Sequence, residues 1–131
     1  MGRLIEDYEY IIIDNEAGFE HLSRRTTRRA DVLLVVSDGT KVGLKAAGRI
    51  SGIVDELKID IQRKLLIINR MDEPIESAEI KHLNLHPIGN IPVDNKIEKI
   101  SLNGGSLIDL EDSAVSIRAL IMLGDKIWQA N

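Results

Sequence analysis

Three short runs of aliphatic and aromatic residues constrain the fold of this chain more than any other feature: Tyr10-Ile11-Ile12-Ile13, Val32-Leu33-Leu34-Val35-Val36 and Leu65-Leu66-Ile67-Ile68. Each is β-prone and uncharged, so the strand it predicts has no polar side to turn to water. Such strands belong to parallel sheets covered on both faces. Between the second and third runs, apolar residues recur at Val42, Ala46, Ile50, Ile53, Val54 and Leu57, a helical period that predicts one buried stripe. Asp38 or Thr40 is placed to cap that helix. Gly43, Gly48 and Gly52 weaken it while permitting close approach to a sheet. Strand, helix and strand at this spacing form a βαβ unit, whose crossover is expected to be right-handed.

Further along, residues 74–85 begin acidic and predict a short helix. Residues 86–94, His-Pro-Ile-Gly-Asn-Ile-Pro-Val-Asp, predict a short strand whose prolines restrict it to an edge or terminal position. Residues 96–102 predict a helical turn or two before Asn103-Gly104-Gly105. A last helix over 112–127 carries Val115, Ile117, Leu120, Ile121, Leu123 and Ile127 on a wide apolar face. The whole predicts an α/β fold with a mostly parallel sheet flanked by helices. A single domain over 1–131 is expected, because 44% hydrophobic residues in 131 suffice for one compact core and not for two.

Sheets of this kind bind ligands beyond the carboxyl ends of their strands, which directs attention to the strand tips. The first run ends in Asp14 and turns through Asn15-Glu16-Ala17-Gly18. An acid there suits magnesium beside phosphates, and a nearby glycine suits a loop that follows phosphate occupancy. The third run ends in Asn69-Arg70; an amide offers both a donor and an acceptor, or makes an ordinary asparagine turn. The segment Asp14-Asn15-Glu16-Ala17-Gly18-Phe19-Glu20-His21-Leu22 resembles the switch II signature of the CooC group, the nickel-insertion ATPases that mature carbon monoxide dehydrogenase. These belong to the MinD/ParA/nitrogenase-iron-protein class of P-loop ATPases.

The resemblance implies a partial P-loop fold of the MinD-like type. It implies that Asp14 and Gly18 serve as switch II residues on the magnesium side. It also implies that Asn69, with Pro92, Val93 and Asp94, lies on the adenine side of an ATP site. Ser23-Arg24-Arg25 departs from the group's glycine-arginine-glycine, and losing two glycines stiffens that segment. The glycine-rich phosphate loop with its Lys-Thr or Lys-Ser and the group's metal-binding Cys-X-Cys pair would both stand upstream of residue 14. The stretch Gly39-Thr40-Lys41-Val42-Gly43-Leu44-Lys45-Ala46 imitates a phosphate loop with the wrong spacing. The chain thus resembles the C-terminal portion of such an ATPase. The resemblance implies that in intact relatives ATP, with magnesium, drives dimerisation and that a nickel enzyme such as carbon monoxide dehydrogenase is the client; this chain alone is expected to hydrolyse little or no ATP, and no cofactor is assigned to it by itself. A homodimer or a complementary N-terminal half is the expected partner. The rival reading is a non-catalytic half-domain that serves interaction or dimerisation, because an uncovered sheet edge invites pairing.

Seventeen lysines and arginines against 21 acids, a net charge of −4 and 3% aromatic residues argue against a nucleic-acid surface. The cluster Arg24-Arg25-Thr26-Thr27-Arg28-Arg29 is the one basic exception, read as a solvated face or an anion or partner contact. No cysteine is present, which suits a reducing cytoplasm. No run of apolar residues approaches a membrane span, so a cytoplasmic protein is expected. His82 and His86 would share a face only on a continuous helix, which Pro87 interrupts; no metal site is assigned.

Overall fold

The computed structural model describes residues 8–15 and 29–128. Glu16, Ala17, Gly18, Glu20, His21 and the arginines at 24, 25 and 28 lie outside the described residues. Three strands, β1 (Arg29–Asp38), β2 (Asp60–Asn69) and β3 (His86–Ile91), form a sheet of order β1-β2-β3. Both pairings are parallel, as the uncharged runs require. Helix α1 (Lys41–Glu56) connects β1 to β2. A short helix α2 (Ser77–Ile80) and a tight turn at Lys81–Leu83 lead into β3. Two helices follow, α3 (Asn95–Leu102) and α4 (Val115–Trp128).

Strand β2 shows why a continuous apolar run marks a central strand. Leu66 and Ile68 enter one core with Val35, Leu44, Ala47, Ile80, Leu83 and Leu85. Leu65 and Ile67 enter the other with Ile88 and Leu123. The pleat sends alternate side chains to opposite faces, so α1 covers one face and α4 the other. No helix among the described residues is long and apolar enough to cross a membrane.

Both long helices turn to the sheet at a phase different from the one the large apolar residues suggest. In α1 the buried positions are Leu44, Ala47, Ser51 and Val54, whereas Val42 is 80% exposed. Small residues face inward because the helix packs closely: a Cβ at Gly48 would stand 3.0 Å from Leu83 Cδ2. Ser51 tolerates burial because its hydroxyl donates to the Asn84 carbonyl at 3.1 Å. In α4 the buried stripe is Ser116, Ala119 and Leu123, with Ile127 packed against the core. Val115, Leu120 and Ile121 face outward.

The expected first strand is corrected. Residues 8–15 are irregular, and Ile11, Ile12 and Ile13 are exposed. A β-prone run becomes a strand only by pairing, and the described sheet includes no such partner for it. Tyr10 instead meets Trp128 edge to face, with ring centroids 4.8 Å apart, and Asp14 therefore ends an irregular segment and not a strand of this sheet.

Candidate functional site

The parallel register aligns the three strand tips. Asp38 pairs with Asn69, and Asn69 pairs with Ile91, so Asn69 stands between the end of β1 and the segment Pro92-Val93-Asp94. Two of the sequence-derived elements, Asn69 and the 92–94 segment, are thereby brought to one edge. Asp14 is exposed on the irregular segment, and Gly18 lies outside the described residues.

At the β1 tip, Asp38 closes a turn onto α1. Its Oδ1 accepts from the Thr40 amide at 3.0 Å and the Thr40 hydroxyl at 2.5 Å, and the Thr40 hydroxyl oxygen accepts from the Gly43 amide at 3.0 Å. These bonds cap the helix and, with the Thr40 hydroxyl first, hold the Asp38 carboxyl below its ordinary range. Gly43 is required by this packing, since a Cβ there would fall 2.2 Å from Asp38 Oδ1. The imitation phosphate loop at 39–46 is thus a helix cap: its amides at Gly43 and Leu44 already serve Thr40.

At the β2 tip, Asn69 is half-buried, and its carboxamide makes no side-chain hydrogen bond among the described residues. Arg70 follows with φ 60°, a left-handed turn out of the strand. The Met71 amide then donates to Ile91 O at 3.0 Å. Asn90 Nδ2 donates to Met71 O at 2.5 Å and Asp72 O at 3.3 Å. The Val93 amide donates to Asp72 Oδ1 at 3.2 Å. The loops after β2 and β3 are therefore fastened to each other, as a composite wall needs.

Asp94 has a role that a pocket-wall reading does not describe. Its Oδ1 accepts from the Lys96 amide at 2.9 Å, capping α3. Its Oδ2 accepts from the Ser116 amide at 3.2 Å and hydroxyl at 2.7 Å, at the start of α4. These bonds, led by the Ser116 hydroxyl, hold the Asp94 carboxyl below its ordinary value. Between the 92–94 loop and α4 opens a cleft of about 630 Å³. Asn90 and Pro92 line one side, Val115, Arg118, Ala119 and Met122 the other. The cleft is shallow and open to solvent, with mostly apolar walls, and Asn69 does not line it.

Asp72, Asn90, Ser116 and Arg118 carried no signal in the sequence as site residues; Asp72, Asn90 and Ser116 bond partners distant along the chain, and Arg118 lines the cleft. His82 and His86 are separated by Asn84 at φ 52°, which ends the turn before β3 and breaks any shared helical face. Among the described residues, no group of three or more His, Cys, Asp or Glu gathers as a metal site.

No family model matches the chain. It is 35% identical over 130 residues to an uncharacterized ATP-binding protein of Methanocaldococcus jannaschii, covering 97% of this chain and 51% of that protein. It is 29% identical over 120 residues to the carbon monoxide dehydrogenase accessory protein CooC of Rhodospirillum rubrum, covering 87% and 45%. It is 32% identical over 132 residues to the septum site-determining protein MinD of Thermotoga maritima, covering 88% and 49%. The chain spans about half the length of the curated relatives it matches. A solved ParA family ATPase from Chlorobium tepidum shares the fold, with a TM-score of 0.59 over 76% of this chain and 42% of that one, at 24% identity.

Proposed function

We propose that this chain, a member of the MinD/ParA/CooC-like ATP-binding class, supplies the base side of an adenine-nucleotide site. One observation carries the reading: the half-buried Asn69 carboxamide, unbonded among the described residues, lies on a strand tip in register with the end of β3 and the Pro92-Val93-Asp94 loop. An amide in that position offers a donor and an acceptor to a base edge. The described residues fit a base better than a triphosphate, because the glycine-rich stretch at 39–46 spends its amides on α1. Magnesium would fall to Asp14, with Gly18 following phosphate occupancy as switch II does in the class. Phosphoryl transfer depends on positioning and charge neutralisation, so this chain by itself binds nucleotide weakly and does not turn it over. In a whole protein the same half would serve ATP-dependent dimerisation and, as the likeness to CooC suggests, nickel loading of a client enzyme in the cytoplasm.

The test is fluorescence titration with ADP labelled on its ribose. Asn69→Ala is expected to weaken binding about five- to tenfold, the worth of roughly one good hydrogen bond, while the melting temperature stays unchanged. Equal affinity in the variant would refute the base contact. Magnesium-dependent hydrolysis that vanishes in Asp14→Ala would overturn the expectation of inactivity.

A second reading, a non-catalytic pairing module, draws on the exposed apolar side chains around the α4 face. Leu34 and Val36 on β1 and Ile121 and Met122 on α4 all face solvent. Sedimentation at micromolar concentration decides it: self-association, or a stable complex with a complementary half, supports this reading, and a monomer that binds no apolar dye opposes it.

A further inference from the structure

We propose that Asp94 is a positioning residue that fixes the Pro92-Val93-Asp94 loop of the base site against α4, acting through Ser116 and not by touching the base. The inference rests on the nucleotide reading above and adds a specific link to it. Asp94 ends the loop that begins at Pro92, and its two oxygens serve two helices. One caps α3 at Lys96; the other takes both the amide and the hydroxyl of Ser116. The residue just before α4 is Ala114, which has no side-chain acceptor for the first-turn amides that a helix leaves unpaired. The acceptor arrives instead from 22 residues earlier in the chain.

Ser116 is 1% exposed, so its hydroxyl has to find a partner inside the protein, and Asp94 provides it. The cleft has Pro92 on one wall and Val115, Arg118, Ala119 and Met122 on the other. The Asp94–Ser116 link joins those walls two residues from Pro92 and one residue from Val115. On the far side, the Val93 amide is held by Asp72, and Asn90 by the carbonyls of Met71 and Asp72, so the loop is fixed toward Asn69 as well. Both Asp94 oxygens accept bonds within the fold. The carboxylate therefore fixes the loop that follows Ile91, the register partner of Asn69, leaving recognition of the base to Asn69.

Titration with ribose-labelled ADP, and with the inosine analogue, on the full chain tests this. Asp94→Ala and Ser116→Ala are each expected to weaken ADP binding about three- to tenfold. The double variant should be no weaker than Asp94→Ala, which already breaks the link to Ser116. Asp94→Asn keeps an acceptor for Ser116 at nearly unchanged volume and should retain more affinity than Asp94→Ala, which separates the link from general damage to the fold. The ADP-to-inosine preference should stay constant across these variants and change in Asn69→Ala. Weakened binding in Asp94→Ala with unchanged binding in Ser116→Ala, or a changed base preference in Asp94→Ala, would overturn the positioning role alone. A wild-type chain that binds neither nucleotide would overturn the base-site reading and this inference with it.

Discussion

Truncating Leu123 to alanine probes the contact that seats α4, and hence one wall of the cleft, on the sheet. Leu123 is 4% exposed and is the buried α4 residue in a cluster with Leu65, Ile67 and Ile88. That cluster has four buried members against eight on the α1 face, so less surrounding structure remains to compensate. Leucine-to-alanine changes in cores cost about 2–5 kcal/mol, the spread reflecting how far a site collapses. The solvent-facing side of α4 permits some collapse, which favours a loss of about 3 kcal/mol. Against a total stability of about 5–15 kcal/mol, that is a large fraction. With a urea slope of about 1–3 kcal/mol per molar, the unfolding midpoint should fall by about 1–3 M. Trp128, the one tryptophan of the chain, lies at the end of α4 and reports its docking. In the variant its fluorescence should change at lower urea than far-UV circular dichroism, since α4 leaves first. A loss smaller than about 1 kcal/mol, or coincident transitions, would show that the Leu123 contact does not hold α4. The bonds from Arg63 to the Lys126 and Ile127 carbonyls and from Lys126 to Ile88 O would then carry the docking.

Gly89→Ala should destabilise the chain by about 1–3 kcal/mol, because φ there is +151° and a Cβ would stand 2.9 Å from Leu123 Cδ2; an unchanged thermal midpoint would refute the strain. Stability should also fall at both ends of the pH scale. Thr40, Lys64, Ser116 and Lys96 respectively hold the carboxyls of Asp38, Asp55, Asp94 and Glu111 below their ordinary values of 3.8 for aspartate and 4.5 for glutamate. Groups lowered in the folded state contribute fully above those values and lose their contribution as pH drops through the lowered ones. Lys96 is raised above 10.5 by Glu111, so its contribution is complete below that pH and disappears as pH rises through the raised value. Thermal melts across pH should show an acid limb beginning near the ordinary carboxylate values; a limb beginning well above 4.5 would point to other groups.

Composition and period, both local properties, were enough to identify β1, β2, α1 and the edge position of β3. The uncharged runs at 32–36 and 65–68 became parallel strands; the second is buried on both faces, whereas the first, expected to be buried likewise, leaves Leu34 and Val36 exposed because α4 packs over β2 and β3 and not over β1. Asn69 and Pro92 were recognisable as strand-end residues, and their alignment follows once β2 and β3 pair in parallel. What the chain alone did not decide depends on surfaces distant in sequence. The run 10–13 has the composition of a buried strand, yet it is exposed, because a ladder requires a neighbour and composition does not supply one. The phase of α1 and α4 was set by where Ala47, Ser51, Ser116 and Ala119 allow close approach, so large residues such as Val42 and Ile121 turned outward. Asp94, expected on the wall of a base pocket, is also a cap shared by two helices. Its partner, Ser116, looks like any serine in a first helical turn, and that bond exists only because the chain folds back across 22 residues to bring an acceptor to a helix end that has none of its own.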